Sequence, residues 1–318
     1  MNLSRWMLWV GVAVIAMAVG ASAVSAEAVK AGSAPAPAAD VKVPTADVKA
    51  PAAPKADAAK PEVKAEAKKS AEKTKAESPA AKAAEASLPH EKVLDLGNKI
   101  TLKLVLIPAG KYMMGEINRQ HEVTISKPFY MGATEVTQEQ YELIMGANPS
   151  KFKGPTNPVE MVTWNEAAEF CKKASEKTGQ TVRLPTESEW EYAARAGSTT
   201  TYAFGNDEKN LGEYAWYADN GQNTTHPAGQ KKPSAWGLYD IYGNVWELCS
   251  DWEADYPSGP VTDPTGPATG SRHALRGGAY DLNGGACRTS HRNSAAPDER
   301  LPRIGFRVVV PTAAPAAK

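Results

Sequence analysis

The chain has 318 residues, 36 Lys and Arg balanced by 36 Asp and Glu, and three cysteines. A net charge of zero, with no basic patch interleaved with aromatics, lacks the electrostatic footprint of a nucleic-acid partner. Beyond an Ala/Lys/Pro-rich stretch, enough chain remains for one sizeable core.

Asn2 to Arg5 is a short polar start with one positive charge, Trp6 to Val19 is apolar, and Ala-Ser-Ala followed by Val-Ser-Ala supplies small residues near Ala23 and Ala26. This pattern predicts a signal peptide over 1–26. The apolar run falls short of the ~20 residues of a typical membrane-spanning helix. Cleavage would leave no transmembrane anchor, whereas an uncleaved segment would remain as one. No cysteine follows the run, which excludes lipoprotein acylation. A periplasmic or extracellular location is the expectation.

Residues 27–90 are almost entirely Ala, Lys, Pro, Glu, Asp and Val. Such a composition buries too little apolar surface to offset the entropy of ordering, so a disordered linker is expected. Its lysines are interspersed with acids, which favours a plain spacer over a tether for anionic polymers. A short tail, 313–318, closes the chain in similar composition.

The folded domain is expected at 91–312, where six of the eight tryptophans fall. "ITLKLVLIPAG", "HEVTISKPFYMG" and "IGFRVVV" alternate or run apolar at strand length. Three helices have legible starts in the capping boxes Thr137/Gln140, Thr163/Glu166 and Thr186/Glu189, and each is expected to stop near a glycine. After Gly197, Gly, Asn, Pro, Ser and Thr dominate, so few helices and many ordered loops are expected. The fold class is therefore α+β and loop-rich.

Within this region Cys171 follows Trp164, Ala167 and Ala168 at helical spacing, a core position. His121, His226, His273 and His291 are isolated in sequence and form no recognisable metal cluster. Arg183, Glu189, Glu191 and Arg195 suit helix capping and ion pairing. Asp240 and Glu247 bracket Gly243 and Asn244, an acid-turn-acid spacing that fits either a solvated loop or a site for a hard cation.

Taken in order, "FYMGATEVTQEQYE", "NPVEMVTWNEAAEFC", "RLPTESEWEYAAR", "GLYDIYGNVWELCSDW", "LRGGAY" and "IGFRVVV" resemble the formylglycine-generating enzyme, or sulfatase-modifying factor, family over about residues 100 to 310. The resemblance implies an irregular fold related to C-type lectins. It also implies calcium held by the Asp240 and Glu247 side chains with the Gly243 and Val245 carbonyls. A second calcium position of the family is not reproduced, because Trp216 stands where an asparagine ligand would be expected.

Active members of the family use a copper-binding cysteine pair, since two thiolates suit Cu(I). Counted from Gly277 and Gly278, the serine and two cysteines of that motif correspond to Ala279, Leu282 and Cys287. Only Cys287 survives, as a weak catalytic candidate, and copper is not expected. In an exported domain the position of Cys287 beside the Cys249 block favours a Cys249–Cys287 disulfide over two buried thiols. Trp246, Trp252 and Tyr280 lie in blocks that line the groove in active relatives and could instead be core.

Two functions follow from the resemblance. One is a non-catalytic, calcium-stabilised binding or scaffolding module for a protein or glycan outside the cytoplasm. The other is an oxidoreductase converting a sulfatase cysteine to formylglycine, or another chemistry in the same groove. Iron-dependent sulfoxide synthases carry a similar domain, but they require a histidine-bearing helical domain where this chain has its linker.

Overall fold

The computed structural model describes residues 88–312. The expected signal peptide, the linker up to residue 87 and the tail lie outside the described residues.

β1 (Glu91–Gly97) and β2 (Ile100–Ile107) form an antiparallel hairpin. Its turn residues Asn98 and Lys99 both have positive φ, 53° and 65°, the combination whose twist matches that of the flanking strands. Alternation along β2 sends Leu102 and Leu104 into one core cluster and Val105 and Ile107 into another. β3 (Gly110–Met114) and β4 (His121–Ile125) make a second hairpin, and β5 (Phe129–Gly132) returns to pair with β2.

Three helices follow, α1 (Gln138–Met145), α2 (Trp164–Thr178) and α3 (Glu187–Arg195). All three begin with the expected reciprocal capping boxes, Thr137 with Gln140, Thr163 with Glu166 and Thr186 with Glu189. Gly146 and Gly179 end the first two in the left-handed conformation that glycine adopts without steric penalty. The third also stops near a glycine, Gly197, with Ala196 before it in the left-handed position at φ 45°.

The remaining chain supplies short strands joined by ordered loops: β6 (Ala215–Trp216), β7 (Tyr242–Gly243), β8 (Trp246–Trp252), β9 (Val261–Thr262), β10 (His273–Arg276), β11 (Asn293–Ala295), β12 (Ile304–Gly305) and β13 (Val309–Pro311). Four sheets result, in the orders β1-β2-β5-β13, β11-β10-β8-β12, β3-β4-β9 and β6-β7. This is the expected loop-rich α+β architecture.

Two apolar runs expected as single strands are divided between sheets. "HEVTISKPFYMG" gives β4 to the three-stranded sheet and β5 to the first four-stranded one, with Pro128, which has no N–H to offer a ladder, at the break. "IGFRVVV" gives β12 to the sheet of β8 and β13 to the sheet of β5. The crossing residue is Arg307, which is fully buried. The C-terminal run thereby joins the two larger sheets and carries a guanidinium between them.

Candidate functional site

Helix α3 is buried over all but one of its residues, and it carries Glu187 and Glu191 inward against Arg276 on β10. Glu191 accepts four hydrogen bonds: from Gly115 N at 2.9 Å, Arg195 Nε at 2.9 Å, Arg195 Nη2 at 2.7 Å and Arg276 Nη2 at 2.6 Å. Glu187 accepts from Arg276 Nε at 2.9 Å and from Arg292 twice, at 2.6 and 2.7 Å. Burial alone would raise the Glu187 carboxyl, but Arg276 and Arg292 outweigh it and hold it below the usual carboxylate range. The ion-pairing role expected for Glu191 and Arg195 is what the structure shows, and Arg183 pairs with Glu189 through two bonds of 2.6 Å.

This network floors a group of clefts between the β3–β4 turn, the loop at residues 254–258 and the loop at 288–292. The largest, of about 590 Å³, is lined by Arg119, Asp255, Tyr256, Ser290, His291 and Arg292. Arg292 lies over the Tyr256 ring at 4.3 Å, so the aromatic wall is braced by the same guanidinium that binds Glu187. His291 and His121, at the margins of this region, are both held below the usual imidazole range, chiefly by burial.

Behind the clefts, the Gly277–Gly278 turn closes on Cys287. A Cβ on Gly278 would stand 2.6 Å from Cys287 Sγ, and Gly278 has φ 83°, so this approach needs glycine. Cys287 is buried, and burial pushes its thiol up to about 12. A nucleophilic or metal-binding cysteine needs the opposite, a thiolate stabilised near neutral pH. Ala279 is buried beside it, and Leu282 packs against the apolar core.

All three cysteines are free and buried, which corrects the expected Cys249–Cys287 disulfide. The Cys249 thiol, held in β8, faces the Glu247 carbonyl at 3.9 Å, whereas Cys287 is seated against Gly278. Cys171 lies in the core as expected. Thiol titration of the unfolded, unreduced protein is expected to count three free thiols; a count of one would restore the disulfide.

Trp246 and Tyr280 are core side chains and not groove walls. Both are buried, Trp246 against the β12 segment and Tyr280 edge-on to Phe152 at 5.5 Å. Trp252 is half-buried and stacks at 3.8 Å on His273, whose other face meets Trp164 at 3.9 Å.

Two of the four residues implied as calcium ligands, Glu247 and Asp240, are buried carboxyls with different partners. Glu247 accepts at Oε1 from Arg307 Nη2 at 2.6 Å and at Oε2 from Arg307 Nε at 2.5 Å and Trp190 Nε1 at 2.6 Å, so its donors are already supplied by protein. The Gly243–Asn244 turn is held by backbone bonds instead, Gly243 N to Gly277 O at 2.8 Å and Tyr280 N to Asn244 O at 3.0 Å. Asp240 differs from Glu247: one of its oxygens has no hydrogen-bond partner, and burial pushes its carboxyl up to about 6. No group of three or more His, Cys, Asp or Glu gathers as a metal site among the described residues.

Sequence reasoning missed Glu187, Arg276, Arg292 and Arg307, the charges that organise the site. A signal was present in "HALRGGAY" and "IGFRVVV", where an arginine stands in an apolar, strand-length run. A buried guanidinium demands a buried carboxylate, but nothing local says which one.

Fold and site together define a loop-rich α+β domain of formylglycine-generating-enzyme type whose cysteine-pair positions hold leucine and a buried thiol. Residues 96–312 match the sulfatase-modifying factor enzyme 1-like domain, and the chain belongs to that family. It is 32% identical to the chaperone protein LppX of Paenibacillus barcinonensis, over 49% of this chain and 74% of that one. It is 38% identical to the formylglycine-generating enzyme of Streptomyces coelicolor, over 51% of this chain and only 55% of that enzyme. Among solved structures, Treponema denticola variable protein 1 superposes with a TM-score of 0.68 at 32% identity, covering 71% of this chain and all of that one.

Proposed function

We propose that this chain is an exported, non-catalytic member of its family that binds a polar ligand, a peptide or glycan, in the cleft beside Tyr256. The carrying observation is Cys287: its thiol is buried and pushed up to about 12, and Leu282 supplies no second sulfur. Cu(I) chemistry of the family's kind needs two thiolates on one soft metal. The export half of the proposal rests on the signal-peptide pattern of residues 1–26. The relative named as a chaperone is in keeping with a role in holding another molecule.

The cleft supports recognition of a polar ligand. Arg119 and Asp255 line it without an ion pair to each other or to other described residues, and hydroxyls of Ser258, Ser290 and Tyr256 stand nearby. Such a mixture of donors, acceptors and one aromatic edge matches peptide or sugar surfaces better than a purely apolar molecule.

The test is incubation of the purified protein with copper, oxygen and a peptide carrying the sulfatase cysteine motif, followed by weighing the peptide. No conversion to the aldehyde is expected, with wild type and Cys287→Ser indistinguishable. Turnover that disappears in Cys287→Ser would establish the oxidoreductase instead.

A further inference from the structure

Arg195, Glu191, Arg276, Glu187 and Arg292 form a row of alternating charges, each bonded to the next. The row begins and ends on a guanidinium, so Arg195 holds only a share of the Glu191 carboxylate. Arg195 is 5% exposed. Its Nε and Nη2 donate to Glu191 and to Gly115 O, but its Nη1 donates to no atom of the described residues. A guanidinium nitrogen so placed needs water or a ligand as its acceptor. Arg195 accordingly lines a cleft of about 340 Å³ bounded by the β3–β4 turn, residues 199–206 and the loop at 288–292.

Other donors converge on this cleft. Arg288 lines it, gives Nη2 to Glu116 Oε1 at 2.6 Å, and leaves its Nε without a partner. Asn206 lines it with a fixed orientation: its Oδ1 accepts from Thr201 N at 2.8 Å and Thr201 Oγ1 at 3.0 Å, so the amide NH₂ is the end left over. The Ser290 hydroxyl, on the wall shared with the Tyr256 cleft, makes no hydrogen bond to the described residues. Glu116 is the one carboxylate on the lining, and Arg288 already holds it. Counting this pair with the row, four guanidiniums face three carboxylates.

We propose that this cleft binds one oxyanion, a carboxylate or sulfate group. Arg195 Nη1 and Arg288 hold it through charge-assisted bonds, and the Asn206 amide and Ser290 hydroxyl through neutral ones. An ionised oxyanion brings acceptors only, which is what a surplus positive charge and a set of unpaired donors require. A cation or an apolar group meets neither need. The site stands on its own geometry, whether or not the Tyr256 cleft beside it takes a peptide or glycan.

The test titrates the full chain calorimetrically with sodium sulfate and with sodium glucuronate, each at fixed ionic strength because salt screens charge pairs near the surface. One anion per chain is expected. Stronger binding of glucuronate would assign the carboxylate of an acidic sugar, and stronger binding of sulfate a sulfate group; both support the proposal. Asn206→Asp keeps the acceptor that Thr201 uses and turns a negative oxygen into the cleft, so it should fold like wild type and lose the binding. Arg288→Gln should weaken binding by about tenfold to a hundredfold, the range for one hydrogen bond to a charged group. A wild-type protein indifferent to both anions would overturn the proposal. So would unchanged affinity in Asn206→Asp; if Arg119→Gln abolished binding at the same time, the anion would belong to the neighbouring cleft.

Discussion

Glu191→Gln is expected to cost about 3 to 5 kcal/mol of unfolding free energy, measured by urea denaturation, the range for breaking a buried ion network from one side. The reasoning is a charge count. Glu187 and Glu191 face the guanidiniums of Arg195, Arg276 and Arg292, an arrangement already one positive charge in excess. Removing Glu191 leaves Arg195 and Arg276 buried without their shared acceptor, and it weakens the bond from Gly115 N. Arg276→Met should cost less, because Glu187 keeps Arg292, Glu191 keeps Arg195, and the remaining four charges balance. An Arg276→Met variant less stable than Glu191→Gln would show that packing under Trp190 matters more than charge.

The same network has a pH signature. Glu187 is held below the usual carboxylate range in the folded state, so its contribution is fully present above the pKa of an ordinary Glu, roughly 4.3. It is lost as pH falls through the lower, folded value. In Glu187→Gln the acid side of the stability profile should therefore be flatter than in wild type.

Arg307→Met is the second large effect, about 4 kcal/mol or more. Arg307 is fully buried, grips both oxygens of Glu247, and donates to the Gly132 and Tyr239 carbonyls at 2.9 Å each. Without it the Glu247 carboxylate is buried with no guanidinium beside it. Adding Glu247→Gln to Arg307→Met should return part of the loss, because removing both members of a buried pair costs less than stranding one. A double variant less stable than the sum of the singles would mean that the pair is not coupled as its geometry indicates.

These two clusters mark the boundary of what a reader of the sequence can see. The capping boxes at Thr137, Thr163 and Thr186 were legible because each is closed by a residue three positions away, so the local sequence contains the whole interaction. The loop-rich α+β class was legible for a similar reason: glycine, asparagine and proline act on their own backbone. The absent cysteine pair needed no structure either, since Leu282 has no sulfur wherever it lies.

Tertiary structure alone decided the rest. Arg307 meets Glu247 across 60 residues, and Arg276 meets Glu191 and Glu187 across 85 and 89. No periodicity encodes such distances. The apolar runs "HEVTISKPFYMG" and "IGFRVVV" read as single strands because alternation reports burial, not which sheet does the burying. The disulfide expectation went wrong in the same way: compartment and loop length permit a bond, whereas only the fold aims Cys249 and Cys287 at different neighbours. The pairing of Glu247 with Arg307 was not legible, because a carboxylate in a tight loop offers the same oxygens to calcium and to a guanidinium. Which cation it meets depends on the crossing of β12 to β13, a decision made by the packing of two sheets and written nowhere in the loop itself.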